Sequence, residues 1–208
     1  MSAPESEGRT DAQEPKTVPV GGGPAPRRRH TARWVAGAVL LALVVVAVVA
    51  ATRPSYEAAS VASPLVGKRA PTFAGTDLDG HQVSLSSYRG RYVYVNFFAS
   101  WCPPCQQEEQ DLVAFNFQQQ RRGADGAALL SVVFNDSDAA AATFVGQWGA
   151  EWPAVPDHDG SVANAYGVGS PPATFLVNPD GVVVGVWDGP VTVNQLDQML
   201  HEAQGSGG

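Results

Sequence analysis

The only two cysteines of this 208-residue chain stand in Trp101-Cys102-Pro103-Pro104-Cys105, near enough in sequence to close into a disulfide and open again. They follow an apolar, β-branched and aromatic run, residues 91–98, that reads as a buried strand, and they open a helical pattern. A Cys-x-x-Cys at a strand-to-helix junction sets its first sulfur at a helix N-terminus, where unpaired N–H groups and the helix dipole favour the thiolate that does the chemistry. Cys102 therefore attacks a disulfide, and Cys105, about one turn inside and less exposed, resolves the mixed disulfide. Pro103 and Pro104 suit a first turn, whose N–H groups have no intrahelical partner to lose. They also remove two amide donors from the neighbourhood of Cys102. The thiol pKa is then lowered less than in a strong oxidant, and the potential is expected toward the reducing end of a range of about −120 to −270 mV.

Other uses of two cysteines fit less well. A zinc site needs four ligands, yet there is no second Cys pair, and His81, His158 and His201 have no metal spacing. A purely structural disulfide closing so short a loop would contribute only about 2 kcal/mol.

The elements that must position the pair follow from pattern and punctuation. Residues 72–73 and 82–85 flank the Asp79-Gly80 turn as a hairpin, and 86–90 form a second turn. After the strand at 91–98 comes a helix of roughly four turns carrying Leu112, Val113, Phe115 and Phe117, stopped near Arg121-Arg122-Gly123. A strand at 128–134, a helix at 139–148 capped by Asp136 or Ser137, a turn at 157–160 and a short helix at 161–166 follow. Strands at 173–177 and 182–187 and a helix at 192–203 close the chain. A parallel β-α-β portion with an antiparallel hairpin and a final helix makes an α/β sandwich of about 140 residues, enough for one core.

Charge divides the chain. Residues 1–33 hold six basic and four acidic residues, and 52–208 hold seven basic and sixteen acidic ones, a net −9. That sign excludes nucleic acid as a partner, since phosphate contacts need clustered Lys and Arg. Residues 35–51 carry no charge, with Arg27, Arg28, Arg29 and Arg33 on their N-terminal side. Nineteen residues, 34–52, reach roughly 28 Å as a helix, close to the hydrocarbon thickness of a bilayer. The expected organisation is a disordered cytoplasmic tail over 1–33, a transmembrane anchor over 34–52, a linker over 53–66, a folded domain over 67–204 and a short tail over 205–208. The positive-inside rule places that domain outside the cytoplasm. A cleaved signal peptide ending near Val49-Ala50-Ala51 and a buried core helix are the alternatives.

The motifs resemble those of the TlpA/ResA/CcmG-like membrane-anchored thiol-disulfide oxidoreductases of the redoxin/AhpC-TSA superfamily. The matches are Ala70-Pro71-Thr72-Phe73, Asp79-Gly80, Leu85 with Tyr88-Arg89-Gly90, and the run from Val95 through Cys105. Further on are Glu108, Leu112, Tyr166-Gly167-Val168, Pro172, Thr174-Phe175-Leu176 and Asp180-Gly181. The resemblance implies a thioredoxin-like three-layer sandwich with a central mixed sheet and an N-terminal β-hairpin extension, preceded by one transmembrane helix. It departs from the family at Gln106, where a basic residue is usual, and at Gln110, where Pro is usual. A peroxiredoxin-type peroxidase would want Thr at position 99, where this chain has Ala, and a copper-delivering relative would want a wider Cys spacing and a partner His.

The resemblance also implies site roles. Pro172 matches the family's cis-proline, which lies across from the sulfurs and offers backbone groups to an extended substrate; Pro171 before it is unusual. Cytoplasmic thioredoxins carry a buried Asp where this chain has Asn96, so the acid-base role falls to Glu108, three residues after Cys105 on nearly the same helical face. An exposed first-turn Glu favoured by the helix dipole is the plainer reading of Glu108. Trp101 is a candidate for the docking surface or for a partly buried structural role. No cofactor or metal is expected. The implied activity is reduction of protein disulfides, in several members those of apocytochrome c, with electrons from a membrane-embedded thiol reductase. A disulfide-forming oxidase for secreted proteins and an anchored non-catalytic binding module are the competing readings.

Overall fold

The computed structural model describes residues 31–51, 59–60 and 63–205. The chain falls into two compact units, Met1–Arg53 and Pro54–Gly208. In the first, helix α1 runs Thr31–Ala51, over the residues read as a membrane span. Its described side chains, 34–46, are all exposed. Among the described residues no helix is long and apolar enough to cross a membrane, so the expected transmembrane helix is not shown. The tail up to residue 30, most of the linker and residues 206–208 lie outside the described residues.

The elements of the second unit run β1 (Ala59–Ser60), β2 (Ala74–Thr76), β3 (Gln82–Ser84), β4 (Val93–Phe98), α2 (Pro103–Arg121), β5 (Ala128–Phe134), α3 (Asp138–Trp148), β6 (Ala154–Asp157), α4 (Ser161–Tyr166), β7 (Ala173–Val177), β8 (Val183–Asp188) and α5 (Val193–Gly205). One sheet has the order β1-β8-β7-β4-β5-β6, and β2 pairs with β3 as the hairpin around Asp79-Gly80. β4, β5 and β6 are parallel, with α2 and α3 as crossovers, whereas β7 and β8 run antiparallel to their neighbours.

Alternation along β4 sorts the two faces. Tyr94 joins Leu112 and Phe115 of α2 and Leu196 and Leu200 of α5 on one side. Val93, Val95 and Phe97 join Phe73, Tyr166 of α4 and Phe175 on the other. There the rings of Phe97, Tyr166 and Phe175 meet edge-on or tilted, with centroids 4.9 to 5.8 Å apart. All six residues of β4 are buried, as a central strand covered on both faces requires.

Two differences from the sequence reading have physical causes. Strand β6 lies just before the turn at 157–160, where no strand was expected, because Pro153 and Pro156 punctuate the stretch; as the last strand of the sheet it tolerates the missing N–H. The folded domain also begins before Gly67. Ala59 and Ser60 pair with Asp188 and Trp187, and Leu65 packs on the core, so the linker contributes an edge strand.

The turn from α2 into β5 admits no side chain at Gly126, whose Cβ would collide with the Gln119 carbonyl on the α2 backbone. Gly126→Ala is expected to lower unfolding stability by about 1–3 kcal/mol. Urea denaturation tests this, and a midpoint matching the wild type would refute it.

Candidate active site

The end of β4 and the start of α2 present the cysteine pair. Cys102 is the N-cap of α2, with Pro103 and Pro104 at N1 and N2. Cys102 and Cys105 form a disulfide, with Cα atoms 5.3 Å apart. The N–H of Cys105 donates to Cys102 Sγ at 3.1 Å, so the N-terminal turn supplies one backbone donor to the attacking sulfur. Cys102, expected to be clearly the more exposed of the pair, is only 2% exposed against 0% for Cys105. Both sulfurs pack in an apolar cluster with Phe98, Ala99, Val133, Ala141 and Phe144. The Pro171 carbonyl oxygen sits 3.6 Å from Cys102 Sγ. That approach is a contact in the disulfide, which has no S–H, and becomes a hydrogen bond when Cys102 is a thiol. The Pro171–Pro172 peptide bond is cis.

The loop before Cys102 is braced by residues that sequence reasoning missed. Ser100 N–H donates to Asp136 Oδ2 at 2.7 Å, and Trp101 Nε1–H donates to the Asn135 carbonyl at 3.1 Å. Asn135 has a φ of 44°, a left-handed conformation that Asn tolerates better than most residues. The Trp101 indole is thus tied down while half of its surface stays exposed. Gln106 Nε2 closes the loop from the helix side by donating to the Ser100 carbonyl.

Glu108 is not an exposed first-turn residue. It is 1% exposed, in the second turn of α2. Its Oε1 accepts from Asn96 Nδ2 at 2.9 Å and its Oε2 from the N–H of Val191 at 2.9 Å. Burial pushes its carboxyl up to about 8; the Asn96 and Val191 hydrogen bonds pull it back, and the charges of Glu109 and Asp111 push it further. Glu109 is buried too, which raises its carboxyl to about 7. Asn96 Nδ2 also donates to Thr174 Oγ1 at 3.1 Å. An Asn in the middle of an apolar strand was the available signal for this network, because a buried amide must find partners.

Asp77, Asp79 and His81 bring three possible metal-ligating atoms within 4.8 Å of one another in the hairpin turn. Asp77 Oδ1 already accepts the N–H groups of Asp79 and His81, so the cluster is accounted for as turn bracing.

A disulfide-linked cysteine pair at a helix N-terminus, facing a proline loop on an α/β frame of this strand order, defines a thiol-disulfide oxidoreductase with a thioredoxin-like fold. The family model described as "AhpC/TSA family" matches residues 66–186, and the chain belongs to that family, among its TlpA/ResA/CcmG-like members. The chain is similar to the thiol-disulfide oxidoreductase ResA of Bacillus thuringiensis (strain Al Hakam), with 33% identity over 137 residues, covering 66% of this chain and 78% of that one. Among solved structures it is similar to a putative thiol:disulfide interchange protein DsbE from Chlorobium tepidum, at 31% identity and a TM-score of 0.57, covering 65% of this chain and 94% of that one. A thioredoxin family thiol:disulfide interchange protein from Chlorobium tepidum TLS aligns with a TM-score of 0.59 at 27% identity, covering 65% and 94%.

Proposed function

We propose that this oxidoreductase works in the reducing direction on protein disulfides outside the cytoplasm, tethered by α1. Apocytochrome c is the candidate substrate, and a membrane-embedded thiol reductase returns the electrons. The observation that carries the direction is the single backbone donor at Cys102 Sγ. Pro104 at N2 withholds the other donor that an N-cap side chain takes, so the thiolate is stabilised less than in an oxidant and the disulfide is correspondingly harder to reduce. The tether reading is supported by the uniformly exposed apolar side chains of residues 34–46 and by the arginines before them.

In the reaction the Cys102 thiolate attacks a substrate disulfide, forming a mixed disulfide and releasing the first substrate sulfur as a thiolate. Cys105 then loses its proton to the Glu108 carboxylate and bonds to Cys102, and the second substrate sulfur leaves with the electron pair. The substrate gains two electrons and the Cys102–Cys105 pair loses them. A groove of about 390 Å³, lined among others by Gly169, Ser170, Ala173 and Phe175, runs beside the proline loop and supports the reading that an extended substrate segment docks there.

Equilibration with glutathione buffers is expected to give a potential between about −200 and −270 mV; a value above about −150 mV overturns the reducing direction. Cys105→Ala is expected to hold its substrate as a mixed disulfide on Cys102, which identifies the captured protein.

A further inference from the structure

Asn96 occupies a position where its side chain has little freedom. It is buried at the centre of β4 and is the direct cross-strand partner of Thr174 in β7. That register points both side chains toward α2, where Asn96 Nδ2 spans Thr174 Oγ1 and Glu108 Oε1. Thr174 lies two residues after Pro172, so one hydrogen-bonded chain runs from the strand behind the proline loop to the carboxyl one turn beyond Cys105. Among the described residues Asn96 Oδ1 has no hydrogen-bond partner. The amide is therefore held by its donor side alone, aimed at Glu108.

We propose that Asn96 is a positioning residue for disulfide exchange: its amide, anchored on Thr174, orients the Glu108 carboxyl toward Cys105 and stabilises the form that accepts the resolving thiol's proton. This rests on the reading that Glu108 takes that proton. An amide suits the task because it donates at every pH. A carboxyl in its place would sit against Glu108 and share one proton with it, splitting a single titration into two coupled steps. The charged groups acting on Glu108 are Glu109 and Asp111 of its own helix. From β4, β7 and the loop before α5 it meets the Asn96 amide, the Thr174 hydroxyl behind it and the Val191 N–H, none of which ionises near neutral pH. Of the α5 acids, Asp197 acts on Tyr94.

The test is the pH profile of the resolving step, followed by stopped-flow release of glutathione from a mixed disulfide preformed on Cys102. Asn96→Leu removes both donors at similar volume and is expected to move the inflection upward by about one to two pH units. Asn96→Asp, nearly isosteric and the safer variant for folding, is expected to split it into two steps. In a Glu108→Gln background Asn96→Leu is expected to leave the profile where Glu108→Gln alone puts it. If Glu108→Gln shifts the profile but neither Asn96 variant does, the positioning role is overturned and the Glu108 reading stands. If Glu108→Gln itself leaves the profile unmoved, both fall.

Discussion

Glu109→Gln is expected to gain about 3 kcal/mol of unfolding stability over the wild type between about pH 4 and about pH 8.5. Glu109 is 3% exposed on α2 and has no hydrogen bond or ion pair among the described residues, and its carboxyl is raised to about 7. Burial favours the neutral acid, whereas the unfolded chain ionises it at the ordinary value of 4.5. A folded pKa above the unfolded one means that the native state binds more protons in between. The favourable contribution is complete below about 4.5 and is lost as pH rises through about 7. The neutral Gln makes no such trade, so the two proteins differ least in acid and most in base. Glu108, raised to about 8, adds a similar decline to both proteins and so largely cancels in the comparison. Urea unfolding at the two pH values measures the gap; a Glu109→Gln difference that does not change with pH would show that this carboxylate is solvated or paired.

These two acids also mark the limit of what the sequence makes legible. Strand β5, strand β7 and helix α4 fall on the residues their patterns indicate, because apolar β-branched runs and glycine-bounded helices leave little ambiguity. Helix α2 is different. Its buried stripe is Cys105, Glu108, Glu109, Leu112, Phe115, Asn116 and Gln119, four of the seven polar, whereas Phe117 faces outward beside the Arg121 guanidinium. A periodicity built on apolar residues places the helix but misassigns its faces, so Glu108 passes as a surface residue. The redox pair is legible for the opposite reason: its chemistry depends on two residue types at fixed spacing, Cys-x-x-Cys before a helix, whereas the proline loop is legible only through the resemblance that matches Pro172 to the family's cis-proline. What joins them to Glu108, the Asn96–Thr174 register, is a long-range pairing that a local pattern does not contain.

Pro104→Ala is expected to make the pair more oxidising by about 30–60 mV, while Pro103→Ala moves it by no more than about 10 mV. An N-cap side chain takes hydrogen bonds from the N–H groups at N2 and N3 and not from N1. Cys102 already has the N3 donor, Cys105, and Pro104 occupies N2. Alanine there returns an N–H aimed at the sulfur. A hydrogen bond to a charged acceptor contributes about 1.5–3 kcal/mol, which lowers the Cys102 pKa by about one to two units. Stabilising the thiolate stabilises the reduced protein, and for a two-electron couple about 1.4 kcal/mol corresponds to about 30 mV. The full shift is read at about pH 9 or above, where Cys102 is ionised in both proteins. Both substitutions loosen the unfolded chain to a similar extent, so the comparison between them cancels the entropic effect of losing a proline. Equal shifts at the two positions would mean that the prolines act by stiffening the turn; a shift confined to Pro104→Ala assigns the reducing potential to one missing N–H at the attacking sulfur.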